Sequence, residues 1–95
     1  MSIQAINVIN EHLQMHVRSP VLRAAAAAAL LKMARRPGKF TGIGDATHEV
    51  MEKLCKANIL LAADGDRKYR MVDTSRASAL VGCDICADGF LVPPR

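Results

Sequence analysis

A helix start, Ser19-Pro20, and a helix stop, Pro37-Gly38, bracket a stretch holding six consecutive alanines, residues 24–29. Serine caps free backbone N–H groups, and proline fits the first turn, where its missing N–H costs nothing. Pro37-Gly38 ends the segment. The bracket predicts a helix from Pro20 to about Arg36, with Leu22, Ala26, Leu30 and Met33 as its buried face. Alanine joins the highest helix propensity to the least bulk, so the run lets another helix approach closely.

The segments around this helix follow from apolar spacing. Ile3, Ile6, Ile9, Leu13 and Val17 fall on one face of a predicted helix over 3–17, with Ser2 as its N-cap. That stripe is a packing or dimerisation element. Residues 39–44 read as extended or turning. Asp45 then caps a third helix over 46–57, in which Ala46, Val50, Leu54 and Ala57 repeat beside Met51 and Cys55. Glu49 with Lys53, and Glu52 with Lys56, have the spacing of helical ion pairs. Asn58 serves as the C-cap. An apolar strand over 59–63, a turn over 64–68 and a returning strand over 69–72 make a hairpin. A short helix over 75–81 and an irregular tail over 82–95 complete the chain. The expected fold is mainly α with a small β-hairpin: a three-helix body with an additional N-terminal helix over 1–73, followed by the C-terminal segment 74–95.

Charge is unevenly spread. The net charge is +4, yet Arg18, Arg23, Lys32, Arg35, Arg36 and Lys39 occur in a stretch with no acidic residue. Such a stretch suits an anionic partner, nucleic acid first. With 95 residues there is room for one domain. No segment has the apolar length of a membrane span, and the N-terminus lacks the pattern of a secretory signal. Three cysteines, an odd number, fit a reducing compartment, so the cytoplasm is expected.

Val50-Met51-Glu52-Lys53-Leu54-Cys55-Lys56-Ala57-Asn58-Ile59-Leu60-Leu61, followed by Asp64-Gly65-Asp66-Arg67-Lys68-Tyr69-Arg70-Met71, resembles the end of a winged helix-turn-helix domain. In that family a recognition helix runs into an apolar strand, a glycine- and basic-rich wing, and a strand that often begins Tyr-Arg. The resemblance covers residues 20–73 and implies a winged-helix-like fold and a DNA-binding regulator of transcription. It assigns Thr47, His48 and Lys53, with Glu49, Glu52 and Lys56, to the groove-facing helix. Arg67, Lys68 and Arg70 belong to the wing, and Arg35, Arg36 and Lys39 to the nearby backbone. Double-stranded DNA is the implied partner, bound by a monomer or a homodimer. A protein-binding adaptor or inhibitor on the same scaffold is the alternative, because fold does not fix function.

Cys83-x-x-Cys86 has the spacing of half a tetrahedral zinc site. A second pair would complete it: His12 with His16, His48 with Cys55, or the same turn of a second chain. The plainer reading makes Cys55 a core filler, His12 and His16 flanks of the packing stripe, and Cys83 and Cys86 free thiols. Gly42-Ile43-Gly44 lacks the strand–loop–helix setting of a phosphate cradle and reads as a turn. No nucleophile, base and orienting acid assemble, so a binding role is expected and not an enzymatic one.

Overall fold

Ser19 does what the sequence assigns to it. Its hydroxyl accepts from the Leu22 N–H at 3.2 Å, and Pro20 occupies the first turn. The computed structural model describes residues 2–63 and 67–94. In it, α1 (Ser2–His16) precedes this capped helix, α2 (Pro20–Ala34). There follow β1 (Thr41–Gly42), α3 (Asp45–Lys56), β2 (Leu60–Ala62), β3 (Lys68–Met71), α4 (Thr74–Leu80), β4 (Asp84–Ile85) and β5 (Leu91–Val92). The described residues thus form a mainly helical α/β domain of four helices with a small antiparallel sheet. The side chain of Ser2 and the hairpin tip at residues 64–66, both assigned roles from sequence, lie outside what is described.

The alanine-rich helix sits at the centre. Ala26, Ala27, Leu30, Leu31, Met33 and Ala34 are buried, and α2 touches α1, α3, α4, β3 and β4. It stops at Ala34, two residues before the expected end. Arg35 is the C-cap, and the Arg36 N–H folds back onto the Met33 carbonyl at 3.1 Å. Gly38 then takes a positive φ of 78° and turns the chain into β1.

Ile6, Ile9, Leu13 and Val17 of the N-terminal stripe are 2 % exposed or less, against α4, α2 and α3. Ile3, expected with them, stands 61 % exposed, because the helix begins before the core does. The stripe is consumed within the chain, so a dimer through it would require α1 to leave the core.

On α3, Val50, Met51 and Leu54 are buried, while Ala46 and Ala57, expected on the same face, meet solvent. The N-cap is Gly44, not Asp45, which lies inside the first turn without a capping bond. At the other end Ala57 is the C-cap, and Asn58 stands one residue beyond it with a positive φ of 62°. The Asn58 N–H reaches the Cys55 carbonyl and the Ile59 N–H the Leu54 carbonyl, both at 3.0 Å, as in a Schellman ending. Ile59 then tucks into the core. Asn58→Ala should lower stability by about 1 kcal/mol, the cost of a left-handed residue with a Cβ, and Asn58→Gly should not. Urea denaturation of both variants checks this.

The expected hairpin forms, with Leu60 opposite Met71, Leu61 opposite Arg70 and Ala62 opposite Tyr69. The 39–44 segment contributes β1, pairing Thr41 with Tyr69 and Gly42 with Lys68, so the strand order is β1-β3-β2. Along β3 the side chains alternate: Tyr69 and Met71 are buried, Lys68 and Arg70 face outward.

The C-terminal segment departs most from expectation. Asp73 caps α4, accepting from the Ser75 N–H at 2.9 Å, and Ala77, Leu80, Cys83 and Leu91 join the common core. The tail is not irregular: β4 and β5 pair, with Asp84 opposite Val92 and Ile85 opposite Leu91. The Asn10 carboxamide grips this hairpin twice, donating to the Leu91 carbonyl at 2.9 Å and accepting from its N–H at 2.8 Å. Arg23 holds the other side. Its guanidinium donates to the Asp88 carbonyl at 2.7 Å and lies 4.3 Å from the centre of the Phe90 ring. It also donates to the Val17 carbonyl, so one cation of the basic stretch is committed to structure. No described helix is long and apolar enough to cross a membrane.

Candidate nucleic-acid interface

The residues assigned from sequence to a groove-facing helix are not equally available. Thr47 is buried at 5 % exposure, and its hydroxyl donates to the Gly44 carbonyl at 3.3 Å. It stabilises the start of α3 and cannot reach a base. His48 is half-buried, with its Nδ1 2.7 Å from the Tyr69 hydroxyl. That hydroxyl also lies 3.0 Å from Glu52 Oε2. It has one proton to give, and the carboxylate can only accept, so His48 Nδ1–H donates to Tyr69 and Tyr69 donates to Glu52. The Tyr69 hydroxyl is pushed up to about 12, first by burial and then by its bond to Glu52.

The rest of α3 is open. Glu49, Glu52, Lys53 and Lys56 are exposed, but neither expected pair forms. Among the described residues the one ion pair joins Arg67 to Asp45. Both partners are solvent-exposed, so the pair contributes little and Arg67 can exchange its carboxylate for another anion. Lys53 lies close enough to His16 to help hold that imidazole below its ordinary pKa, after burial and ahead of His12.

The cations of the sequence lie on and beside the three-stranded sheet. Arg35, Arg36 and Lys39 are exposed where α2 leads into β1. Because Thr41 pairs with Tyr69 in an antiparallel ladder, the segment leading into β1 runs alongside Arg70. The Ile43 N–H bonds the Arg67 carbonyl at 3.1 Å, which ties the entrance of α3 to the hairpin. The Arg70 guanidinium lies 5.6 Å from the centre of the Phe40 ring. Phe40 and Tyr69 were not assigned roles from sequence. For Tyr69 a signal existed: it is the only tyrosine, and a buried phenol needs a polar partner.

Cys83 and Cys55 are packed into the structure. Cys83 is buried, its thiol pushed up by burial and by Asp84, and its Sγ bonds the Ala79 carbonyl at 3.6 Å. Burial likewise raises Cys55, with Glu52 adding to it. Neither thiol has the lowered pKa of a reactive thiolate. The His12 and His16 rings stack on each other with centroids 5.8 Å apart. Among the described residues no three His, Cys, Asp or Glu side chains are placed to hold a metal ion together, so the pairs weighed for zinc with Cys83 and Cys86 do not come together within this chain.

A second surface lies between α2 and the start of α3. A groove of about 340 Å³ is lined by Ala25, Ala28, Ala29, Ile43 and Ala46, with Lys32 also lining it.

No protein-family model, curated protein or solved structure matches the chain.

Proposed function

We propose that the protein is a small cytoplasmic DNA-binding regulator that contacts duplex DNA with α3 and the β2–β3 hairpin on a winged-helix-like scaffold. The observation that carries the reading is the passage of α3 through a Schellman turn into an apolar strand and a hairpin bearing Arg67, Lys68 and Arg70. Arg35, Arg36 and Lys39, on the segment leading into β1, would add phosphate contacts. Within α3 the contacts fall to Lys53 and Lys56, since Thr47 and His48 are engaged internally. Three free cysteines suit a reducing compartment.

The test uses two double variants. Lys53→Ala with Lys56→Ala, and Arg67→Ala with Lys68→Ala, should each weaken duplex binding by about tenfold at low salt, as loss of a couple of phosphate contacts implies. Unchanged affinity in both would remove this surface from the function.

The groove between α2 and α3 favours a second reading, a protein-interaction module. Its apolar lining suits a partner side chain or helix, and the self-neutralised face of α3 suits a protein neighbour. A partner retained after both double substitutions would favour it.

A further inference from the structure

We infer that the outer face of the three-stranded sheet is a platform for the unpaired bases of a single-stranded nucleic acid, distinct from the α3 surface. Tyr69 and Met71 of β3 point into the core, so Lys68 and Arg70 point out. Leu61 is directly opposite Arg70 on β2 and shares its face. On the other side of β3, the Phe40 ring lies against the Arg70 guanidinium. An aromatic ring, a guanidinium plane and an aliphatic side chain therefore lie in one row, from the residue before β1 across β3 to β2. Phe40 is 37 % exposed and Leu61 44 % exposed, so both flank Arg70 within reach of solvent.

Beside this row the surface is flat and positive. Gly42 has no side chain, and the stem of Lys68 lies across it, 4.0 Å from where a Cβ would stand. Lys39 is exposed two residues before β1 begins. Lys68 and Arg70 give this face its positive charge, while the neighbouring Arg67 is paired to Asp45. The occupant that matches is a polyanion with flat apolar groups free to stack. Bases in a duplex are already stacked on each other and present only their edges. Bases of a single strand offer their faces to Phe40 and Arg70 while the phosphates meet Lys68 and Lys39.

The chain has no tryptophan, so Phe40→Trp places a single fluorophore on the platform. Its emission is titrated with an oligothymidylate of about ten nucleotides and, separately, with an oligouridylate of the same length. Saturable quenching by either supports the platform, and the stronger of the two identifies DNA or RNA as the strand. In parallel, Phe40→Ala should bind the better oligonucleotide about tenfold more weakly, the loss of one stacked base, while its affinity for a duplex stays unchanged. Circular dichroism confirms that both variants are folded. No quenching by either oligonucleotide would overturn the proposal. So would an oligonucleotide affinity that Phe40→Ala leaves intact, or a duplex affinity that falls by the same factor, which would make the face a general phosphate patch. Loss of duplex binding in the Lys53→Ala, Lys56→Ala variant, with oligonucleotide quenching kept, would separate the two surfaces.

Discussion

Gly89→Ala lowers the stability of the protein by about 3 kcal/mol, the sum of a left-handed alanine and an overpacked contact. Gly89 has a φ of +86°, and a Cβ there would stand 2.7 Å from the Ala24 nitrogen and the Pro20 carbonyl oxygen of α2, and 2.8 Å from the Arg23 Cβ. Two of these are backbone atoms of a capped, central helix and cannot yield. The β4–β5 hairpin must move instead, which pulls Asp88 and Phe90 from Arg23 and Leu91 from Asn10. Gly38 is the control. Its φ is +78°, but nothing lies within 4 Å of its missing Cβ, so Gly38→Ala should cost only about 1 kcal/mol. Urea denaturation gives both values, and amide exchange at Leu91 reports whether the hairpin has lifted. Equal losses in the two variants would mean that the hairpin does not depend on its fit against α2.

The second large effect centres on Tyr69, which is 1 % exposed in the middle strand of the sheet. Tyr69→Ala should cost about 4 kcal/mol, as loss of a buried aromatic does. Tyr69→Phe keeps the ring and should cost about 1 kcal/mol for the bonds to His48 and Glu52. The pair also predicts a pH dependence. The folded-state pKa is raised from 10 to about 12, so the native state holds the phenolic proton more tightly than the unfolded chain. This contribution is fully present below pH 10 and is lost as pH rises towards 12. Stability of the wild type should therefore fall more steeply across that window than stability of Tyr69→Phe. Parallel curves would show that the hydroxyl is no better held in the folded state.

Long-period features were legible in the sequence. Ser19-Pro20 and the alanine run located α2, and the spacing of Val50 and Leu54 located α3, because each signal is repeated over several turns. The hairpin was legible because the apolar run 59–63 must stop at a turn. Features set by tertiary contact were not. β4 and β5 are two residues each, too short to show an alternation, and Asn10 and Arg23 hold them from helices that lie 81 and 65 residues away in sequence. Thr47 and His48 look like polar helix residues open to solvent. Their engagement depends on Gly44 taking the N-cap and on Tyr69 facing inward from β3, and neither is written in the helix itself. The sheet face failed to appear for a similar reason: Phe40 and Arg70 are 30 positions apart, and only the β1–β3 ladder makes them neighbours.

The central claim is that a phosphate-contacting surface lies on α3 and the hairpin. Its most direct test is fluorescence anisotropy of a labelled generic duplex, titrated with protein at about 50 and about 200 mM salt. About four phosphate contacts predict affinity that falls roughly 100-fold between the two conditions. No binding at micromolar protein even at the lower salt would contradict the claim and leave the apolar groove between α2 and α3 as the surface to pursue.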